Sequence, residues 1–119
     1  MKNQNIEFKN PDESGELVVD VYETEKEVVI ESAIAGVTAE ELDIALEQDI
    51  LIIKGERKDP SKDKERNYFI KECYFGHFEK EVILPKEVDT TQIKASMDNG
   101  FLVIRLPKEL LEHQKIEVE

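Results

Sequence analysis

The dipeptide Asn99-Gly100 lies between two short runs, IKASMD (93–98) and FLVIRL (101–106), and constrains this chain more than any other feature. Asn-Gly is a preferred centre for a type I′ turn, where both residues take φ > 0 and the turn's twist matches that of the strands it joins. A two-residue loop here sets the pairing. Met97 faces Leu102, Ala95 faces Ile104 and Ile93 faces Leu106, so one side of the hairpin is wholly apolar. The other side carries Asp98 with Phe101, Ser96 with Val103 and Lys94 with Arg105, a mixed surface.

The same alternation recurs along the chain. Short runs rich in Val, Ile and Leu occur at 17–22, 27–34, 42–47, 50–56, 68–74, 77–84, 93–97 and 101–106, with turn residues between them and no long amphipathic helix. The spacing predicts an all-β sandwich. A second two-residue turn at Gln48-Asp49 sets Leu46 against Leu51 and Ile44 against Ile53, leaving Ile50 and Ile52 on the other face. A strand that is apolar on both faces is buried on both or covered by another chain. Residues 35–41 read as a turn in which Thr38 caps the amide of Glu41. RKDPSKDKERN (57–67) has ten charged or polar residues and one proline, which predicts an exposed, mobile loop. Pro107 ends the last strand by removing a ladder donor, and KELLEHQKIEVE runs on as an extension.

At 119 residues the chain is about one domain. Sixteen basic against 28 acidic side chains give a formal charge of −12, which repels phosphate backbones and anionic lipid, so neither nucleic acid nor membrane is an expected partner. The N-terminal MKNQNIEFKNPDESG has no apolar signal region and no run of about 18 apolar residues follows, so the expected location is cytoplasmic. Cys73 stands alone, which excludes an intramolecular disulfide and fits a reducing compartment.

Chemistry is hard to find. His77 and His113 share no metal-ligand spacing, and Cys73 has no implied histidine partner; each reads as an incidental surface or strand residue. Acid pairs such as Glu40-Glu41 and Asp12-Glu13 are inevitable among 28 acids. Gly36, Gly55, Gly76 and Gly100 lie in no phosphate-cradling motif. No catalytic residue, cofactor or metal is expected. The terminal Ile116-Glu117-Val118 instead places two branched side chains on one side of a short extended segment, either as a frayed end or as a strand that adds to a sheet edge. Burying both gives roughly 3 to 5 kcal/mol, against about 1 to 2 kcal/mol for ordering each tail residue, so such tails act only in numbers.

Several segments together resemble the α-crystallin domain of small heat-shock proteins. ASMDNGFL resembles the family's A-x-x-x-N-G-x-L signature through Ala95, Asn99, Gly100 and Leu102, and a strand ending in Leu-Pro follows it. KECYFGHFEKEVILP resembles a second family strand through Glu72, Gly76, Phe78, Leu84 and Pro85. ALEQDILIIKGERK resembles a hairpin of the family through Leu51, Ile53, Gly55, Glu56, Arg57 and Lys58. SAIAGVTAEELDI resembles a further segment, and Ile116-Glu117-Val118 matches I-x-I/V.

The resemblance implies an immunoglobulin-like sandwich of two antiparallel sheets, organised as an arm (1–16), the α-crystallin domain (17–107) and a C-terminal extension (108–119). It implies an ATP-independent holdase that binds partly unfolded clients and forms homodimers that build larger homo-oligomers. In that scheme a strand from the loop at 57–69 is exchanged between partners, with Tyr68 and Phe69 as its anchor. A groove between 42–47 and 93–97, lined by Leu42, Ile44, Leu46, Ile93, Ala95 and Met97, receives a neighbour's Ile116 and Val118.

The chain departs from the family pattern at Cys73 and Lys80, where arginines are usual, and at Ala35, where proline is common. About 16 residues precede the first strand, fewer than the longer apolar arm of relatives, which implies either a missing arm or limited assembly. A co-chaperone built on the similar CS domain is the alternative; it lacks both the Asn-Gly signature and the tail motif. A sandwich enzyme would need a convergent nucleophile or metal set.

Overall fold

Both two-residue turns close their hairpins, Asn99-Gly100 with the two positive φ angles that its residues favour and Gln48-Asp49 with one. Asn99 and Gly100 have φ of 53° and 78°, and Gln48 has φ of 58°. In a computed structural model of the chain, which describes residues 15–63, 65–109 and 118, these turns join strands of two four-stranded sheets. The strands are β1 (Gly15–Glu16), β2 (Asp20–Glu23), β3 (Glu27–Ala33), β4 (Leu42–Glu47), β5 (Ile50–Arg57), β6 (Gly76–Ile83), β7 (Lys94–Asp98) and β8 (Phe101–Pro107). One sheet has the order β1-β6-β5-β4 and the other β2-β3-β8-β7. Every ladder is antiparallel except the two-residue contact of β1 with β6.

The registers follow the turns. Leu46 pairs with Leu51 and Ile44 with Ile53. Met97 pairs with Leu102, Ala95 with Ile104, Ser96 with Val103, Lys94 with Arg105 and Asp98 with Phe101. Ile93 falls one residue short of β7, so its expected pairing with Leu106 is not part of that ladder, although Leu106 does pair with Val28 on the other side. The inward face of each sheet supplies one core. Leu51, Ile53, Phe78 and Val82 come from one sheet and Val28, Ile30, Leu102, Ile104 and Leu106 from the other, with Ile34 between strands.

Two expected strands need correction. Residues 17–22 do not form one strand, because β1 belongs to one sheet and β2 to the other. Residues 17–19 carry the chain across. Leu17 drops into the core at 6% exposure, and the Ser32 hydroxyl donates to the Val18 carbonyl at 2.7 Å. Three extended residues reach about 10 Å, the usual spacing of packed sheets. The β1 and β2 edges therefore share one flank of the sandwich, and the β4 and β7 edges share the opposite flank.

The run at 68–74 is likewise not a strand in this chain. Tyr68, Phe69, Ile70 and Cys73 are exposed there. Alternation states which face a strand would present, but a strand forms only where a second backbone completes its ladder. The neighbouring β6 already has β5 on one side and β1 on the other.

Two short turns take 3-10 geometry, and the Glu41 amide goes to the Thr38 carbonyl rather than to its side chain. At 35–41 the chain turns through Gly36 (φ +80°) into a 3-10 turn, Ala39–Glu41. The cap runs through the Thr38 amide, which donates to the Glu41 carboxylate at 2.9 Å, and the Thr38 carbonyl, which accepts from the Glu41 amide at 3.0 Å. Asp89 caps a second turn, Thr90–Gln92, accepting from the Thr91 amide and hydroxyl at 3.0 and 2.6 Å. Those bonds hold its carboxyl below the usual range, the hydroxyl contributing most.

Candidate functional site

Each flank of the sandwich ends in strands that have a ladder on one side only among the described residues. On the β4/β7 flank, β4 alternates half-buried Leu42, Ile44 and Leu46 with exposed Asp43, Ala45 and Glu47. Ile93 and Met97 are half-buried as well, and all five larger apolar residues pack against the common core. Ala95 is exposed although it pairs with Ile104, which is fully buried. One side of the hairpin is thus core at Ile104 and open rim at Ala95, where a small side chain leaves the seam uncovered.

The hairpin tip that sets this register is pinned to the body. The Ile34 amide donates to the Gly100 carbonyl at 2.6 Å, and a Cβ on Gly100 would lie 3.2 Å from the Ile34 carbonyl oxygen. Asn99 and Gly100 thus hold the turn, and Leu102, at 1% exposure, anchors the strand beyond it. Of the tail residues named from sequence, Ile116 lies outside the described residues and Val118 is 94% exposed. Asp12, Glu13 and His113 also lie outside them.

On the opposite flank β2 is exposed along its whole length, with Val21 at 47% and Tyr22 at 43%. Val21 pairs with the core residue Ile30, so the core itself reaches the surface at this edge. The loop after β5 presents Tyr68 at 47% exposure, Phe69 fully exposed and Ile70 at 74%. Local contacts give the loop its shape. Arg66 pairs with Asp59 at 2.7 Å, the Ser61 amide donates to Asp59 at 2.9 Å, and the Arg66 and Lys71 cations lie 5.3 and 5.2 Å from the centre of the Tyr68 ring. The Ser61 amide and then Arg66 hold the Asp59 carboxyl below its ordinary value.

Arg57 ties the two ends of this loop together. Its Nε donates to the Ala35 carbonyl at 2.7 Å and its Nη1 to the Tyr74 carbonyl at 3.1 Å. The sequence placed Arg57 in a motif without a role, since its partners lie 22 and 17 residues away and no local pattern links them. The extension is rooted just as firmly. The Lys108 amide donates to the Lys26 carbonyl at 2.8 Å, its Nζ pairs with Glu23 at 2.8 Å, and the Glu109 amide donates to the Glu87 carbonyl.

Among the described residues no three His, Cys, Asp or Glu side chains are placed to hold a metal ion. His77 Nε2 lies 3.8 Å from the Glu56 carboxylate, both well exposed, and Cys73 is exposed. No helix among the described residues is long and apolar enough to cross a membrane. What the two flanks offer is backbone hydrogen bonding beside apolar side chains, the means by which a sheet edge accepts an extended peptide.

The family model described as the Hsp20/alpha crystallin family matches residues 20–119. Small heat shock protein C2 of Rickettsia felis is 35% identical over 101 residues, covering 84% of this chain and 66% of that protein. Small heat shock protein C4 of the same organism is 34% identical over 100 residues, covering 83% and 61%. The chain thus spans under two thirds of the length of these curated relatives. A crystal structure of a small heat-shock protein from Xylella fastidiosa, described as having a distinct high order structure, superposes with a TM-score of 0.74 at 29% identity, covering 87% of this chain and 95% of that one.

Proposed function

We propose that this chain, which belongs to the Hsp20/alpha crystallin family, is a chaperone of the holdase type: without ATP it binds partly unfolded proteins and prevents their aggregation. The observation that carries this reading is the pair of open flanks. Apolar side chains stand beside outer-strand backbone at β2 and at β4/β7, while the exposed Tyr68-Phe69-Ile70 segment has strand-like alternation and no ladder in its own chain. In this reading the segment of one chain adds to β2 of another and makes a dimer. The β4/β7 seam, from Leu42, Ile44, Leu46, Ile93, Ala95 and Met97, takes the Ile116 and Val118 side chains of a neighbouring dimer.

The test is heat-induced light scattering of a substrate protein at a stoichiometric ratio without nucleotide. Suppression is expected; its absence, or its appearance only with ATP, overturns the reading. Sizing of Ile116→Ala with Val118→Ala beside the parent addresses assembly. The two changes remove most of the roughly 3 to 5 kcal/mol of apolar burial per tail, so large species should collapse to dimers with the strands intact. A large parent and an equally large variant would place the assembly contact elsewhere.

A further inference from the structure

The sheet β1-β6-β5-β4 carries a second apolar surface, on its outward face. Alternation puts Ile50, Ile52 and Lys54 opposite the core residues Leu51 and Ile53. Their cross-strand partners share that face: Ile50 lies between Glu47 and Ile83, Ile52 between Ala45 and Glu81, and Lys54 between Asp43 and Glu79. Ile52 is covered at 8% exposure, Ile50 is half-buried and Ile83 is 74% exposed, so the strip opens to solvent at one end. Carboxylates run along both sides of it, Asp43 and Glu47 on β4 and Glu79 and Glu81 on β6. Lys54 is the one lysine or arginine among these partners.

We propose that this strip is a docking site for an extended polypeptide segment in which apolar residues alternate with lysine or arginine. Apolar side chains of such a segment cover Ile50 and Ile83, and its long basic side chains reach sideways to the carboxylate rims. The rims lie one strand away on either side, about 5 Å from the central strand. A chain of formal charge −12 also concentrates cationic segments near its surface. That the natural occupant is an unfolded client rests on the holdase reading; the site itself does not.

Fluorescence anisotropy with three labelled peptides of equal length tests the proposal on the full chain. One alternates valine with lysine, one valine with glutamate, and one glycine with lysine. The first should bind at least about tenfold more tightly than either of the others, the joint effect of apolar burial and charge. Ile83→Ser, at a site exposed enough to leave the fold unchanged by circular dichroism, should weaken it about three- to tenfold. Glu79→Lys with Glu81→Lys should shift preference toward the glutamate peptide. Equal binding of the valine-lysine and valine-glutamate peptides, equal binding of the glycine-lysine peptide, or an unaffected Ile83→Ser overturns the proposal. The assay is independent of scattering suppression: peptide selectivity without suppression keeps the site and removes the holdase reading, and suppression without selectivity does the reverse.

Discussion

The outward faces of the two sheets are built from the same strand alternation, each leaves an apolar end exposed, Phe101 on one and Ile83 on the other, and they differ in what covers the rest. On β2-β3-β8-β7, Val29 lies between Tyr22 and Arg105 as direct cross-strand neighbours and is fully buried. The polar ends above it are tied to partners: Arg105 Nη1 meets Glu27 Oε2 at 2.5 Å, and the Tyr22 hydroxyl donates to Glu31 at 3.0 Å. On β1-β6-β5-β4 the equivalent apolar residues face short or like-charged neighbours, and exposure climbs from Ile52 to Ile83. Val29 is hidden beneath long neighbours whose polar ends are paired. Ile52 is covered between Ala45 and Glu81, and the face opens only at Ile83, which meets Ile50 at the end of the ladder.

The largest expected effect tests what the two faces share. Ile53→Ala empties a fully buried core position beneath the open face and should cost about 2 to 5 kcal/mol in denaturant unfolding. A loss below 1 kcal/mol would mean that β5 is not held by the common core.

Next in size comes the contrast itself. Val29→Ala removes two methyl groups from a closed site and should cost about 2 kcal/mol, whereas Ile83→Ala on the open face should change stability by less than about 0.5 kcal/mol. Equal effects in chemical denaturation would erase the distinction between the faces. Smaller still is the ion pair that helps close the first face. A double-mutant cycle on Arg105 and Glu27, both in reach of water, should give a coupling of about 0.2 to 1 kcal/mol that fades as salt rises.

The smallest effect is a titration. The hydrogen bond to Glu31 first, with burial and the nearby negative charge adding to it, raises the Tyr22 phenol above 10.0. A raised folded value means that this contribution to stability is fully present below pH 10 and is lost as pH rises through the folded pKa. Ultraviolet titration should place the Tyr22 midpoint above that of a free phenol, and Glu31→Ala should bring it down. A midpoint unmoved by that change would show the bond to be unoccupied in solution.

Part of the candidate site was legible in the residues, for a local reason. Leu42, Ile44 and Leu46 share one side of a strand by alternation, and Asn99-Gly100 places Met97 and Ala95 by turn chemistry, whereas the meeting of the two strands in one seam came from the family resemblance and lies between different sheets. The link from Arg57 to Ala35 and Tyr74, and the exposure of Ile83, depend on segments brought together only by folding, and no pattern around either residue signals them.

The all-β class, the two hairpin registers and the division of each strand into two faces are readable from the residues, because each depends on a two-residue turn or on the two-residue repeat of a strand. Which face points inward is settled only on folding. Leu51-Ile53 and Ile50-Ile52 are chemically alike, and the choice rests on what packs across from them. Folding also decided that 17–22 divides between sheets at Leu17, which fills the core between them, and that 68–74 forms no strand. A ladder is a relation between two backbones, and a run of residues specifies only one of them.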